Sequence, residues 1–284
     1  MSRLVPLLCA ACAVGIGLTA WSQLDAGTTN VTIPKGEPAP KDEVATDASA
    51  QLRKARMACT VAALDSYIAV FSTQATAKPS KELWHNLAEA YLERALQRTH
   101  LHGMAPGAPT FEELPTDFAG DLKAGLEAVA KARELGDETG ELFRIEAGLM
   151  SQHITGWRSA LAWNGKIAAA LATAVKRVAD DPQVHVALGL RKLFAPTWLG
   201  NDPAKALEHF EFADKADGDE RPAVFAAMAS YLQKKRQQAI TWLERAVAKN
   251  PDNKFARVVL GRLRRGEDNP FARNVTEAEL AAGK

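Results

Sequence analysis

The chain has few cysteines and almost no net charge. Its 284 residues include three cysteines, and 35 basic residues stand against 34 acidic ones. Cys9 and Cys12 lie in the first apolar run, so the three cysteines do not form a disulfide framework, and Cys59 is expected to be a small core residue. A balanced charge offers no general attraction for a polyanion, so we do not expect nucleic acid as the main partner.

Strand patterns and catalytic motifs are also missing. No alternating β-branched run of strand length stands out, and the chain has no glycine-rich phosphate loop, His-Glu-x-x-His motif or nucleophile elbow. His100 and His102 lack a third ligand nearby in sequence, so no metal site is predicted. His85, beside Glu82 and Glu89 on one helix face, is interpreted as solvated or partner-facing rather than as a proton shuttle. We expect neither an enzyme nor a cofactor.

The chain does contain abundant Ala, Leu, Glu and Lys in windows of helical period, which predicts an all-α protein. Two segments, PAKALEHFEFADKA and QAITWLERAVAKNP, repeat one pattern in which small residues flank a large one: Ala206, Phe210 and Ala213, then Ala239, Leu243 and Ala246. Small side chains let a neighbouring helix approach, and the large residue fills the gap between the helices. The pattern predicts a helical repeat.

The N-terminal segment predicts export from the cytoplasm. Residues 4–21 follow Arg3 and carry no charge, which is typical of a signal peptide or an N-terminal membrane anchor. Cys12 also resembles the end of a bacterial lipoprotein box, so cleavage, retention and lipidation all remain open. Each of these places the body of the protein at the cell envelope, on the periplasmic or secreted side.

The remaining boundaries follow from composition. Residues 22–47 predict a flexible linker, 48–266 a helical repeat domain and 267–284 a polar C-terminal tail. A first helix is expected from Ala48 to Val70 on one apolar stripe that includes Cys59. Two stretches rich in proline and glycine, residues 100–116 and the segment APTWLGNDP, predict insertions between helices.

Several of these patterns resemble the tetratricopeptide repeat (TPR) superfamily. The spacing Ala-x3-Phe-x2-Ala-x4-Pro is similar to that of the second helix of the repeat. Trp84, Leu87, Ala88 and Tyr91 reproduce the Trp-x2-Leu-Gly-x2-Tyr spacing of its first helix, with Ala for Gly. The segment APTWLGNDPAKALEHF also resembles exported bacterial repeat proteins, including the TRAP-transporter-associated T component. The resemblance implies a right-handed α-solenoid of TPR-like hairpins with two insertions.

The same resemblance implies a concave groove lined by the first helices of the repeats. Carrying the groove positions onto this chain gives an acidic, an apolar and a basic part, with one tryptophan from the second insertion: Glu82, His85, Glu89, Glu93, Val186, Leu190, Phe194, Trp198, Phe225, Arg262 and Arg265. The function implied is a non-enzymatic scaffold that binds a protein or peptide, with an oligomer possible. The alternative is a transport-accessory protein that holds a small apolar ligand near Trp157, Trp163 and Trp198.

Overall fold

The computed structural model describes residues 43–100, 117–154, 157–195, 200–216, 218–268, 270–271 and 275–282. All described residues belong to one compact unit, which spans residues 40–284. The expected signal segment or anchor, almost all of the expected linker, the first insertion after His100 and residues 196–199 of the second insertion lie outside the described residues.

The described residues are helical and contain no strand, so the all-α prediction is confirmed. The helices are α1 Glu43–Met57, α2 Val61–Ala77, α3 Lys81–His100, α4 Asp117–Glu134, α5 Gly140–Gln152, α6 Trp157–Arg177, α7 Pro182–Phe194, α8 Pro203–Asp214, α9 Arg221–Leu232, α10 Arg236–Lys249, α11 Lys254–Arg264 and α12 Glu277–Ala282. Among these described helices, none combines the length and the apolar character needed to cross a membrane.

Helices adjacent in sequence pack as hairpins. The pairs are α1 with α2, α3 with α4, α5 with α6, α7 with α8 and α9 with α10. The first helix of each hairpin also packs on the first helix of the next, from α1 through α3, α5 and α7 to α9, while α11 packs on α10 and α12 on α11. The helices α1, α3, α5, α7 and α9, called here the inner helices, therefore form one layer of a continuous array.

The small and large residues recognised in the sequence hold the C-terminal hairpins together. Ala206 and Phe210 of α8, like Ala239 and Leu243 of α10, have no solvent exposure. A Cβ added to Gly189 of α7 would lie 2.5 Å from the ring atom Cε1 of Phe210, so glycine is what allows this close helix contact. Burial of each large side chain contributes about 1.5–3 kcal/mol. The repeat pattern is confirmed as a packing pattern.

The N-terminal region differs from the expected single helix. The chain turns at Cys59, whose φ of 50° lies in the left-handed region, and separates α1 from α2. Thr60 caps α2 by accepting a hydrogen bond from the amide of Ala63 at 3.3 Å, which stabilises a new helix start. Val70, expected on the buried stripe, is 50% exposed, and α1 begins at Glu43, five residues before the expected start. The additional hairpin extends the array toward the N-terminus.

Candidate functional site

A polar cleft lies against the inner helices. Its volume is about 450 Å³, and it is bounded by α1, α3, the start of α7 and the connection from α8 to α9. Its lining combines charged groups of both signs with side-chain amides and a few apolar residues: Ser49, Leu52, Arg53, Arg56, His85, Asn86, Glu89, Glu93, Pro182, Gln183, Ala213, Ala216, Gly218 and Asp219. The cleft therefore offers an occupant charged groups of both signs and side-chain amides.

The first hairpin and the residues that flank the hairpin α9–α10 are in contact beside this cleft. Asn250, in the turn after α10, donates a hydrogen bond from Nδ2 to the carbonyl of Met57 at 3.0 Å. The thiol of Cys59 lies 3.7 Å from Oε1 of Glu220, and Arg56 pairs with Asp219 at 3.5 Å. We call these contacts the closure. They bring the end of α1 and the α1–α2 turn to the residues before α9 and after α10, so the cleft lies between α1 and the connection from α8 to α9.

A buried charge network supports the closure from inside. Arg221, at the first position of α9, donates hydrogen bonds to Glu93 at 2.6 Å, to Gln183 at 3.0 Å and to Asp219 at 3.1 Å. Burial tends to raise the pKa of Asp219, but Arg221 and Arg56 outweigh it and hold the pKa well below its usual range. The network therefore fixes an ionised carboxylate at the edge of the cleft.

The α3 side of the cleft is also held by charge pairs. His85 Nδ1 lies 2.7 Å from Oδ2 of Asp137, and Thr139 donates to Asp137 from both its amide and its hydroxyl, at 2.9 and 2.6 Å. Burial opposes ionisation of Asp137, yet these hydrogen bonds lower its pKa to about 2. Arg144 similarly lies 2.9 Å from Glu89 and lowers the pKa of that carboxyl against the effect of burial.

These groups do not resemble an activated catalytic set. A general acid at neutral pH requires a raised carboxyl pKa, whereas the pKa values of Glu89, Asp137 and Asp219 are all lowered. Burial, followed by the charge of Glu220, raises the pKa of the Cys59 thiol to about 12, which keeps it in the weakly nucleophilic neutral form. Within the described residues, no group of three or more His, Cys, Asp or Glu side chains could hold a metal ion. The arrangement is one of fixed, paired charges.

The structure combines three features. Its hairpins follow one another along the chain, their first helices form one inner layer, and the second helices carry large residues flanked by alanines. The architecture is a TPR-like array. Among solved structures, the chain is similar to YrrB, described as a TPR protein with an unusual peptide-binding site, with 15% sequence identity over 70% of this chain and 90% of that chain and a TM-score of 0.37. No family model and no curated protein matches the chain.

In this TPR-like array, three of the four residues of the predicted acidic part of the groove line the cleft. His85, Glu89 and Glu93 line it, as expected for one face of α3. Glu82 instead lies outside the lining, with 45% of its side chain exposed and a weak ion pair to Lys81 at 3.8 Å.

The apolar part of the predicted groove requires correction. Phe225 and Val186 are 3% and 6% exposed, and the ring of Phe225 packs 5.5 Å from that of Phe210. Leu190 is partly buried against the same core, whereas Phe194 at the end of α7 is 40% exposed. Trp198 lies outside the described residues, and so does the side chain of Trp157. These positions do not form a continuous apolar surface because most of them are used to pack the hairpins.

The basic part of the predicted groove requires correction at Arg262. Arg262 has no solvent exposure, and it donates to both carboxylate oxygens of Glu279 at 2.8 and 2.7 Å and to the carbonyl of Pro270 at 2.9 Å. The short helix α12, in the segment expected to be a polar tail, therefore covers this part of α11. Arg265 is exposed and pairs with Glu267 at 2.7 Å. Arg262 is a structural residue.

Sequence reasoning missed the residues that complete the cleft. Arg53 and Arg56 come from α1, which was not assigned to the groove, and Gln183 and Asp219 come from helix starts and connections. Arg221 pairs with Glu93, which lies 128 positions away in the sequence. A pattern of local spacing does not predict a contact at that separation. The only available signal was the position of two arginines beside the apolar stripe of α1.

Proposed function

We propose that the chain is a non-enzymatic helical-repeat scaffold at the cell envelope that binds a polar protein or peptide segment in the cleft. The observation that carries this proposal is the lining of the cleft. It presents guanidinium groups from α1, carboxylates from α3 and the amides of Asn86 and Gln183 around one cavity. Such groups can pair with the backbone and charged side chains of an extended segment.

The size of the cleft limits what it can receive. A cavity of about 450 Å³ is in the range of small-molecule sites and is far smaller than a standard protein–protein interface, so the proposed occupant is a chain terminus or a short loop. The paired, ionised carboxylates keep their charges fixed, which favours recognition of complementary charge. The alternative of a small apolar ligand concerns another part of the chain, because none of Trp157, Trp163 and Trp198 lines this cleft.

The envelope location is proposed from the N-terminal sequence alone. The uncharged run after Arg3 is typical of an export signal or an anchor. Expression of the native chain with fractionation, and mass measurement of its mature N-terminus, tests this part independently of binding. Recovery of the intact chain in the soluble cytoplasm would overturn it.

Selection from a random peptide library tests the binding proposal directly. The purified chain is expected to enrich a family of polar peptides, and Arg53→Glu should weaken their binding at least tenfold because it reverses a charge on the exposed side of the cleft. Lys123→Glu on α4, where 81% of the side chain is exposed, is the matched control and should leave binding unchanged. No enrichment, or equal effects of the two variants with unchanged circular dichroism, would contradict the proposal.

A further inference from the structure

Two imidazole rings face each other on the third complete hairpin after α1–α2, outside the cleft. His185 of α7 and His209 of α8 have their Nδ1 atoms 3.1 Å apart and their ring centroids 5.2 Å apart, with the ring planes inclined by 60°. Both residues are half-buried, so solvent reaches the pair while the helices hold it. Neither residue belongs to the lining of the cleft.

The close contact between α7 and α8 sets the distance between the two rings. His185 lies one helical turn before Gly189, and His209 directly precedes Phe210, whose ring occupies the space that glycine leaves open. Because Gly189 and Phe210 are in close contact, the core of the hairpin, rather than a loop, positions the two imidazole rings.

The tautomer of His185 is fixed by the backbone. Its Nε2 lies 3.1 Å from the carbonyl oxygen of Ala179, an acceptor, so Nε2 carries the proton and Nδ1 carries the lone pair. The ring of Phe212 stacks on His185 with centroids 3.9 Å apart and planes inclined by 21°, which restricts its rotation.

We propose that His185 and His209 together bind a borderline divalent metal ion, Zn²⁺ or Cu²⁺, through their Nδ1 atoms. Two nitrogens bound at 2.0–2.1 Å to a tetrahedral ion lie about 3.3 Å apart, close to the separation found here. The hydrogen bond from His185 Nε2–H to a backbone carbonyl is the outer-shell contact that metal-binding histidines usually make.

The metal replaces a hydrogen bond between the two rings. In the metal-free protein, His209 Nδ1–H can donate to the lone pair of His185 Nδ1. On binding, that proton moves to Nε2 of His209, so both Nδ1 lone pairs are available and no net proton is released. Because the described residues include no third ligating side chain in a group with this pair, water or an incoming ligand fills the remaining positions, and micromolar affinity is expected.

Cu²⁺ titration of the full chain followed by electron paramagnetic resonance tests the assignment, because hyperfine structure counts the coordinated nitrogens. Two nitrogens are expected in the wild-type spectrum and one in His209→Gln. Zn²⁺ calorimetry should show at least a tenfold loss of affinity in His185→Gln. These measurements are made with Cys9 and Cys12 changed to serine in every arm, so that their thiols do not compete.

Two control variants separate this site from other histidines. His153→Gln, which removes a ring stacked on Trp163, and the double change His100→Gln with His102→Gln should both retain the two-nitrogen spectrum. Phe212→Leu keeps both ligands but frees the His185 ring, and it should weaken Zn²⁺ binding several-fold. Absence of a two-nitrogen spectrum in the wild type, or its loss only in the His100 and His102 variant, would overturn the proposal even if a His185 variant failed to fold.

Discussion

The side-chain amide of Asn250 donates a hydrogen bond to the carbonyl oxygen of Met57 at 3.0 Å, although the two residues are 193 positions apart. The same Nδ2 atom lies 3.3 Å from the sulfur of Cys59. One side chain in the turn after α10 therefore holds the turn that joins α1 to α2. The array is closed at this point, and several of its measurable properties should depend on the closure.

The first prediction concerns cross-linking across the closure. Asn250→Cys, with Cys9 and Cys12 changed to alanine, should form a disulfide with Cys59 under mild oxidation because the two side chains are already in contact. Non-reducing electrophoresis and peptide mass spectrometry would detect the bond. It should stabilise the protein by about 2–4 kcal/mol. Asp252→Cys, at an exposed position of the same turn, is the control, and equal cross-linking of the control would argue against the closure.

The second prediction concerns the reactivity of Cys59. With its pKa raised to about 12 by burial and by Glu220, the thiol should react with iodoacetamide at pH 8 roughly a hundredfold or more slowly than an unperturbed cysteine, because little thiolate is present. The reaction should return to the ordinary rate in concentrated urea. Glu220→Gln should accelerate it in the folded protein by removing a charge that raises the pKa. Rapid native labelling would contradict the burial of this thiol.

The third prediction concerns the buried charge network. Arg221→Ala removes the partner of Glu93 and Asp219 and leaves two carboxylates without their main counter-charge. We expect a loss of about 3–5 kcal/mol in the free energy of unfolding, measured by urea denaturation. Arg264→Ala breaks the exposed ion pair with Glu244 and should cost less than about 1 kcal/mol. Similar losses for the two variants would mean that the network does not support the closure.

The fourth prediction compares two helical glycines. Gly189→Ala forces a methyl group to within 2.5 Å of the Phe210 ring and should destabilise the protein by about 1–3 kcal/mol. Gly165→Ala in α6 meets nothing within 4 Å and should stabilise it by up to about 1 kcal/mol through helix propensity. Thermal unfolding of both variants measures the difference. Phe210→Leu should partly restore the stability that Gly189→Ala removes. If the losses of stability of the two single variants simply add in the double variant, the steric cause is excluded.

The fifth prediction concerns acid stability. Asp137 has a folded pKa of about 2, below the value near 3.9 of an unfolded aspartate. Its contribution is therefore complete above pH 4 and is lost as the pH falls through 2, because the unfolded state binds the proton more readily. Asp137→Asn should flatten the dependence of stability on pH between 4 and 2, by about 1–2 kcal/mol. Urea denaturation midpoints measured across this range test the prediction. If the variant shows the same slope as the wild type, the hydrogen bonds from His85 and Thr139 do not lower the pKa of Asp137.

The packing of the C-terminal hairpins could be predicted from the sequence because it depends on local spacing. Ala239, Leu243 and Ala246 repeat at helical intervals. Asp202, directly before Pro203, caps α8 by accepting hydrogen bonds from the amides of Ala204 and Lys205. Such signals involve residues within two turns of one another. The split between α1 and α2 was missed because the apolar stripe continues through a three-residue turn.

The residues of the candidate site were harder to predict from the sequence than the packing of the hairpins. The burial of Phe225 could have been inferred, since RPAVFAAMASYL has no polar stripe and a helix that is apolar on all sides is buried on all sides. The pairing of Arg221 with Glu93 and the covering of Arg262 by Glu279 could not, because they depend on how far the array curves and where the chain returns. Repeat spacing determines which faces of neighbouring helices meet, but not the accumulated rotation between distant helices.

The closure also constrains how this protein can change in length. In an open solenoid each repeat contacts only its neighbours, so a hairpin can be gained or lost at modest cost. Here the turn containing Cys59 must reach Asn250, and inserting or deleting one hairpin between them would move the two turns out of register. The closure therefore fixes the number of hairpins between these two turns, much as closure of a barrel fixes its number of strands.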